Sequence, residues 1–156
     1  LPVGCATLAR RLVAHDTPTP AEIAALRAAA HVAVAGAPRG SPATIVAVGG
    51  TSANLVKVVP AAGRDRILTR RRLGAARSAL SGAPAAAVAE RFGITTKRAS
   101  LLPAGAALLE ALMDRYGVER VTAVEEGLRE GAIYALAWGG AGWRDRLDAL
   151  AHGWGG

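Results

Sequence analysis

Three short stretches of this chain carry residue types that handle anions or metals. The first is Val48-Gly49-Gly50-Thr51-Ser52, glycines set between a β-branched apolar run and a helical pattern. Glycines there let the backbone approach a ligand, and the N–H groups opening the next helix face an anion with the helix dipole behind them. Thr51 or Ser52 would add a hydroxyl. The same residues also describe a plain strand-to-helix turn with Thr51 as N-cap. The second stretch is Lys97-Arg98, ahead of Leu101-Leu102-Pro103-Ala104-Gly105-Ala106. Cations are disfavoured at a helix start, so a bound anion would resolve the conflict; two solvated side chains would resolve it as well. The third is Glu125-Glu126-Gly127-Leu128-Arg129-Glu130-Gly131. Paired carboxylates suit Mg²⁺ or acid–base work, and equally are ordinary dipole partners in a first helical turn. The most basic run, Arg70-Arg71-Arg72, could touch a polyanion but reads first as a solvated helix face, and no aromatic residues interleave it for base stacking.

The elements that must position these residues follow from periodicity and punctuation. A short helix fits Leu8 to Ala14, broken by Asp16-Thr17-Pro18-Thr19-Pro20. Thr19 then caps a second helix, with Pro20 at its first position and Glu22 completing a capping box. Thr44-Ile45-Val46-Ala47-Val48 reads as a buried strand of a parallel sheet, followed by a helix over 52–59. Gly63 to Thr69 is a polar turn with a short apolar stretch. Thr69 caps a basic helix over 70–80, and Ala85–Phe92 forms another, stopped by Gly93. The strongest helix carries Leu101, Leu102, Leu109 and Met113 and stops at Gly117. Residues 119–124 form a second strand and 128–136 a helix. Arg144 to Ala151 fits a last short helix carrying Trp143 or Trp154 onto the body. The fold class is α/β: two strands, expected parallel in one sheet, each followed by a helix. Two strands are few for so many helices, so further strands are expected outside this chain.

Composition bounds the partners. The 156 residues suit one domain. Hydrophobic residues make up 51% and aromatics 4%, so Ala, Leu, Val and Gly must fill the core. The formal charge of +7 favours polyanions, although Arg-rich helices also keep an Ala-rich protein in solution. Cys5 is the only cysteine and reads as a small core residue; no intrachain disulfide is possible, and a cytoplasmic protein is expected. The three histidines, His15, His31 and His152, show no metal-ligand spacing. No apolar run reaches the roughly 20 residues of a membrane helix, so no membrane partner is expected.

Taken together, the segments resemble the exopolyphosphatase/guanosine pentaphosphatase family, the Ppx/GppA phosphatases. Leu1-Pro2-Val3-Gly4-Cys5, followed by Asp16 to Glu22, is similar to the family's Leu-Pro-x-Gly segment and Pro-rich helix start. Val48 to Thr51 resembles its Gly-rich loop. Arg98-Ala99-Ser100-Leu101-Leu102-Pro103-Ala104-Gly105 resembles its Arg-Ala helix entrance. Glu126-Gly127-Leu128-Arg129-Glu130-Gly131 resembles its Gly-Leu-Arg-Glu-Gly ending, the most specific of the four. The order and spacing agree over residues 1 to 137.

The resemblance implies part of an actin-like, sugar-kinase and heat-shock-ATPase type of fold, a ribonuclease H-like lobe with a small parallel sheet flanked by helices. Residues 1–138 would form the C-terminal lobe, incomplete at its N-terminal edge, and 139–156 a tail. Family members release terminal phosphate from inorganic polyphosphate or guanosine pentaphosphate with Mg²⁺, and are often dimers. Their first-lobe glutamate base and their two Gly/Ser-rich phosphate loops have no counterpart in this sequence, and Thr7 stands where the family has an arginine. The chain would therefore be inactive alone and would need the missing N-terminal lobe as partner. Gly49, Gly50, Thr51 and Arg98 would supply its phosphate- or nucleotide-binding groups; no catalytic or metal-binding residue is assigned. Two other readings remain. One is a guanosine tetraphosphate or polyphosphate binder without turnover; the other is a lobe of a different actin-like ATPase or kinase.

Overall fold

A computed structural model describes residues 1, 3–59 and 62–147. Helix α1 (Cys5–Leu12) and helix α2 (Pro20–Ala35) lead into strand β1 (Ile45–Val48) and helix α3 (Gly50–Val58). Strand β2 (Ile67–Thr69) runs directly into helix α4 (Arg70–Ser81), followed by α5 (Ala85–Phe92), α6 (Thr96–Tyr116), β3 (Arg120–Val124) and α7 (Leu128–Gly139). A 3-10 segment, Gly140–Arg146, packs back on α7. Of the expected last helix at Arg144 to Ala151, the first half is described, with Arg144–Arg146 ending the 3-10 segment, and residues 148–151 lie outside the described residues.

The sheet has three strands in the order β1-β3-β2. The expected parallel pairing is present, with Ile45 opposite Val121 and Val48 opposite Val124. The third strand corrects the two-strand expectation: Ile67–Thr69, read from sequence as an apolar stretch after a turn, pairs antiparallel with β3. Three residues are too few for a period-2 signal to show. What holds them is β3, together with Arg66, a non-glycine residue at φ 53°. The Arg66 carbonyl accepts from the Ala123 N–H at 2.8 Å and its Nε donates to the Ala123 carbonyl at 2.9 Å.

Helix α6 is the centre of the molecule. Ala99, Leu102, Ala106, Leu109 and Met113 recur at three- and four-residue spacing and face the sheet, α3, α4 and α5. Ala104, Ala107 and Ala111 line its other side and meet Leu8, Leu26, Ala30 and Val34 of α1 and α2. A helix apolar on both sides belongs inside, and its small residues let five helices approach it. Glu110 is the polar exception: buried, it pairs with Arg77 of α4 and, at 3.3 Å, with Arg27 of α2. It thereby ties together two helices on opposite sides of α6. Pro103 sits inside α6 and leaves the Ala99 carbonyl without the N–H that residue 103 would otherwise donate.

The cap of α2 is built as expected. The Thr19 hydroxyl accepts from the Glu22 N–H at 3.2 Å, and the Glu22 carboxylate accepts from the Thr19 N–H at 2.8 Å. Ala14 N–H and the His15 ring add to it at 2.6 and 3.0 Å. The Thr19 N–H, then the His15 side chain, hold the Glu22 carboxyl well below the usual carboxylate range. A depressed folded-state value means stability present above the ordinary glutamate value of 4.5 and lost as pH falls. Glu22→Gln is therefore expected to lower the urea midpoint at pH 7 and to flatten its decline between about pH 5 and pH 3; an unchanged acid limb would count against this cap.

The Arg70-Arg71-Arg72 run is mostly consumed within the fold. Arg70 pairs with Asp114 and, at 3.2 Å, with Glu119. Arg72 pairs with Asp65 at 2.8 Å and donates to the Ile67 carbonyl at 2.7 Å. Arg71 is exposed. Among the described residues no helix is long and apolar enough to cross a membrane.

Candidate phosphate-binding site at the strand ends

Parallel β1 and β3 end side by side, so the loops that follow them share one edge of the sheet, where ligands of open α/β sheets bind. After β1 the chain turns at Gly49, whose φ of 91° and ψ of −172° suit glycine alone. Gly49 is the N-cap of α3, and no side chain caps the helix. The N–H groups of its first turn therefore open towards the edge of the sheet. Ser52 is not among the ligand groups. It is buried, and its hydroxyl donates to the carbonyls of Ala47 and Gly49 at 2.9 and 3.0 Å, locking the turn.

Arg98 reaches this loop from the first turn of α6. A Cβ built on Gly50 would stand 3.1 Å from the Arg98 Cζ and Nη1, so the guanidinium lies against the Gly50 backbone. Gly50 thus serves close approach. Thr95 caps α6 by accepting from the Arg98 N–H at 3.3 Å, and the first turn holds no acidic residue. Arg98 is exposed and makes no ion pair among the described residues. A cation leaning over the N-terminus of α3, from the N-terminus of α6, places three sources of positive potential together.

Thr51 is placed differently from Gly49 and Gly50. It is the second residue of α3 rather than its N-cap, and its Oγ1 lies 3.4 Å from Cys5 Sγ. Its methyl fills the space beside Gly105, where any Cβ would overlap it. Gly105 is therefore needed for α6 to approach α3 this closely. Sequence reasoning missed this contact; Gly105 inside an Ala-rich helix was the signal that could have found it.

The loop after β3 closes the other side. Gly127 packs against Gly49, its built Cβ standing 3.8 Å from the Gly49 Cα. The Glu130 carboxylate accepts from the Gly127 N–H at 2.8 Å. Its own backbone N–H and that of Gly127 hold its carboxyl below the usual range. Glu125 pairs with Arg66 at 2.9 Å. These acids do not fit a Mg²⁺ site. Glu130 caps a helix, Glu125 is paired with Arg66, Glu126 is exposed by itself, and no group of three potential ligands gathers among the described residues.

The fold and this glycine-lined edge define an α/β lobe of the actin-like ATPase type. The model of the Ppx/GppA phosphatase family matches residues 1–138, and the chain belongs to that family. Its fold is similar to a Ppx/GppA family member of Aquifex aeolicus, with a TM-score of 0.76 and 20% identity over 90% of this chain and 48% of that one. An exopolyphosphatase from Cytophaga hutchinsonii matches with a TM-score of 0.69 and 16% identity over 89% of this chain and 49% of that one. The chain thus spans about half the length of these solved relatives. Among curated protein sequences no significant match is found.

Proposed function

We propose that this chain is one lobe of a phosphoanhydride hydrolase that releases terminal phosphate from inorganic polyphosphate or guanosine pentaphosphate. In this reading the lobe supplies binding groups and a second lobe supplies the base that activates water. The observation that carries it is the Arg98 guanidinium lying against Gly50 at the uncapped start of α3. Backbone N–H groups and a guanidinium together suit a phosphate chain: the former stabilise its oxygens through the helix end, and the latter can grip two oxygens at once. In this reading the chain binds without turning over: at the loop Glu125 pairs with Arg66 and Glu130 caps α7, and Glu126, exposed beside Gly127, is not assigned as the base.

The sheet supports the same reading. Among the described residues strand β1 is an edge strand paired only with β3, and its Val46 and Val48 are 54% and 62% exposed. Parallel strands are normally covered on both faces. The other lobe would join here, bringing the rest of the family fold against β1.

Binding of a medium-length polyphosphate, followed by calorimetry at fixed ionic strength, tests the site. Arg98→Ala is expected to weaken affinity about tenfold or more, as for a lost charge-assisted hydrogen bond. Arg71→Ala, an equal charge change on an exposed helix face, should change it by less than about twofold. Equal losses in both variants would mean that polyphosphate follows net charge and that no site exists at Gly50.

A further inference from the structure

A second concavity lies on a different part of the molecule, between α1, α5 and α6, with a volume of about 360 Å³. That is within the size range of small-molecule sites. Val13, Leu80, Val88 and Pro103 give it apolar walls. Of its polar side chains, His15 is held by Glu22 and Ser100 by the Lys97 carbonyl, while Arg10 and Asp16 have opposite signs and do not pair with one another. Arg10, in the last turn of α1, makes no ion pair or hydrogen bond among the described residues. Asp16 uses one oxygen to accept from the Ala85 N–H at 3.2 Å, and its second oxygen has no partner among them. Ala99, whose carbonyl Pro103 deprives of a donor, belongs to the same lining.

A ligand for this cavity must bring an anion to Arg10, a donor or cation to Asp16 and Ala99, and an apolar body to the walls. A simple anion would be repelled by Asp16 and a simple cation by Arg10. We propose that the cavity binds a zwitterionic apolar α-amino acid. Its carboxylate meets Arg10, its ammonium meets the second oxygen of Asp16 and the Ala99 carbonyl, and its side chain lies against Val88 and Leu80. Neither the cavity nor this ligand class is used by the phosphate-binding proposal, so the two stand or fall separately.

Calorimetric titration of the chain with L-leucine, leucinamide and 4-methylpentanoate tests it. L-leucine should bind saturably at one site. Leucinamide, which lacks the carboxylate, and 4-methylpentanoate, which lacks the ammonium, should each bind at least about tenfold more weakly. Arg10→Gln should remove the preference for leucine over leucinamide, and Asp16→Asn the preference over 4-methylpentanoate. Asp16→Asn keeps an oxygen for the Ala85 N–H, and Arg10 is exposed, so both variants should fold. No saturable binding of L-leucine at millimolar concentration, or equal affinity for all three compounds, would overturn the proposal. So would either variant retaining the wild-type ligand preferences.

Discussion

Leu102→Ala lowers the unfolding free energy by about 2–5 kcal/mol, the range for emptying a packed leucine site. Leu102 is 1% exposed and faces the larger cluster, where α6 meets the sheet, α3, α4 and α5. Those elements are held by one another and by the strands, so the site has little room to collapse and the upper half of the range is expected. Leu101, its neighbour on α6, is only partly buried. Leu101→Ala is expected to cost less than half as much. Urea unfolding of the two variants measures both; a cost for Leu102→Ala below that for Leu101→Ala would mean that α6 does not present this face to the core.

Gly105→Ala is the second large effect, and it reaches the candidate site. The added methyl falls on the Thr51 methyl. Threonine in a helix is stiff about its first side-chain bond, so α3 and α6 must separate or Thr51 must turn away from Cys5. Overpacking of this kind costs about 1–3 kcal/mol. It should also draw Arg98 off Gly50 and weaken polyphosphate binding. Thr51→Ser removes the offending methyl and keeps the hydroxyl near Cys5. The pair Gly105→Ala with Thr51→Ser should therefore recover most of the lost stability. Two residues in direct contact are expected to be non-additive; strict additivity would show that the methyls do not meet.

Much of this arrangement could be read from the chain because the signals were local. Ile45 to Val48 is a continuous apolar run ended by glycines, and Thr19-Pro20-Ala21-Glu22 is a complete helix start; both elements lie where expected. The parallel pairing of β1 and β3 followed from helices after each strand. What was not legible depends on distant partners. Strand β2 owes its existence to β3 and to the backbone of Arg66. The reach of Arg98 to Gly50 spans separate elements, and the resemblance to a family placed both residues on one list without giving the contact. Thr51 shows the limit most clearly. Its residue type fits a cap or a ligand hydroxyl, yet its neighbours Cys5 and Gly105 make it a packing residue whose hydroxyl faces the thiol.

The position of α6 also sets how the molecule comes apart. Five helices and a strand rest on it, so its amide protons can meet solvent only when almost everything else has let go. Helix α7 is the opposite case: Leu128 is 90% exposed, Trp138 is 61% exposed, and Ala135 alone is buried along its length. Local opening free energies should therefore run from near zero in α7 to the global value in α6. Arg98 stands on the first turn of that helix, so one of the groups proposed to hold phosphate is carried by the element expected to open last.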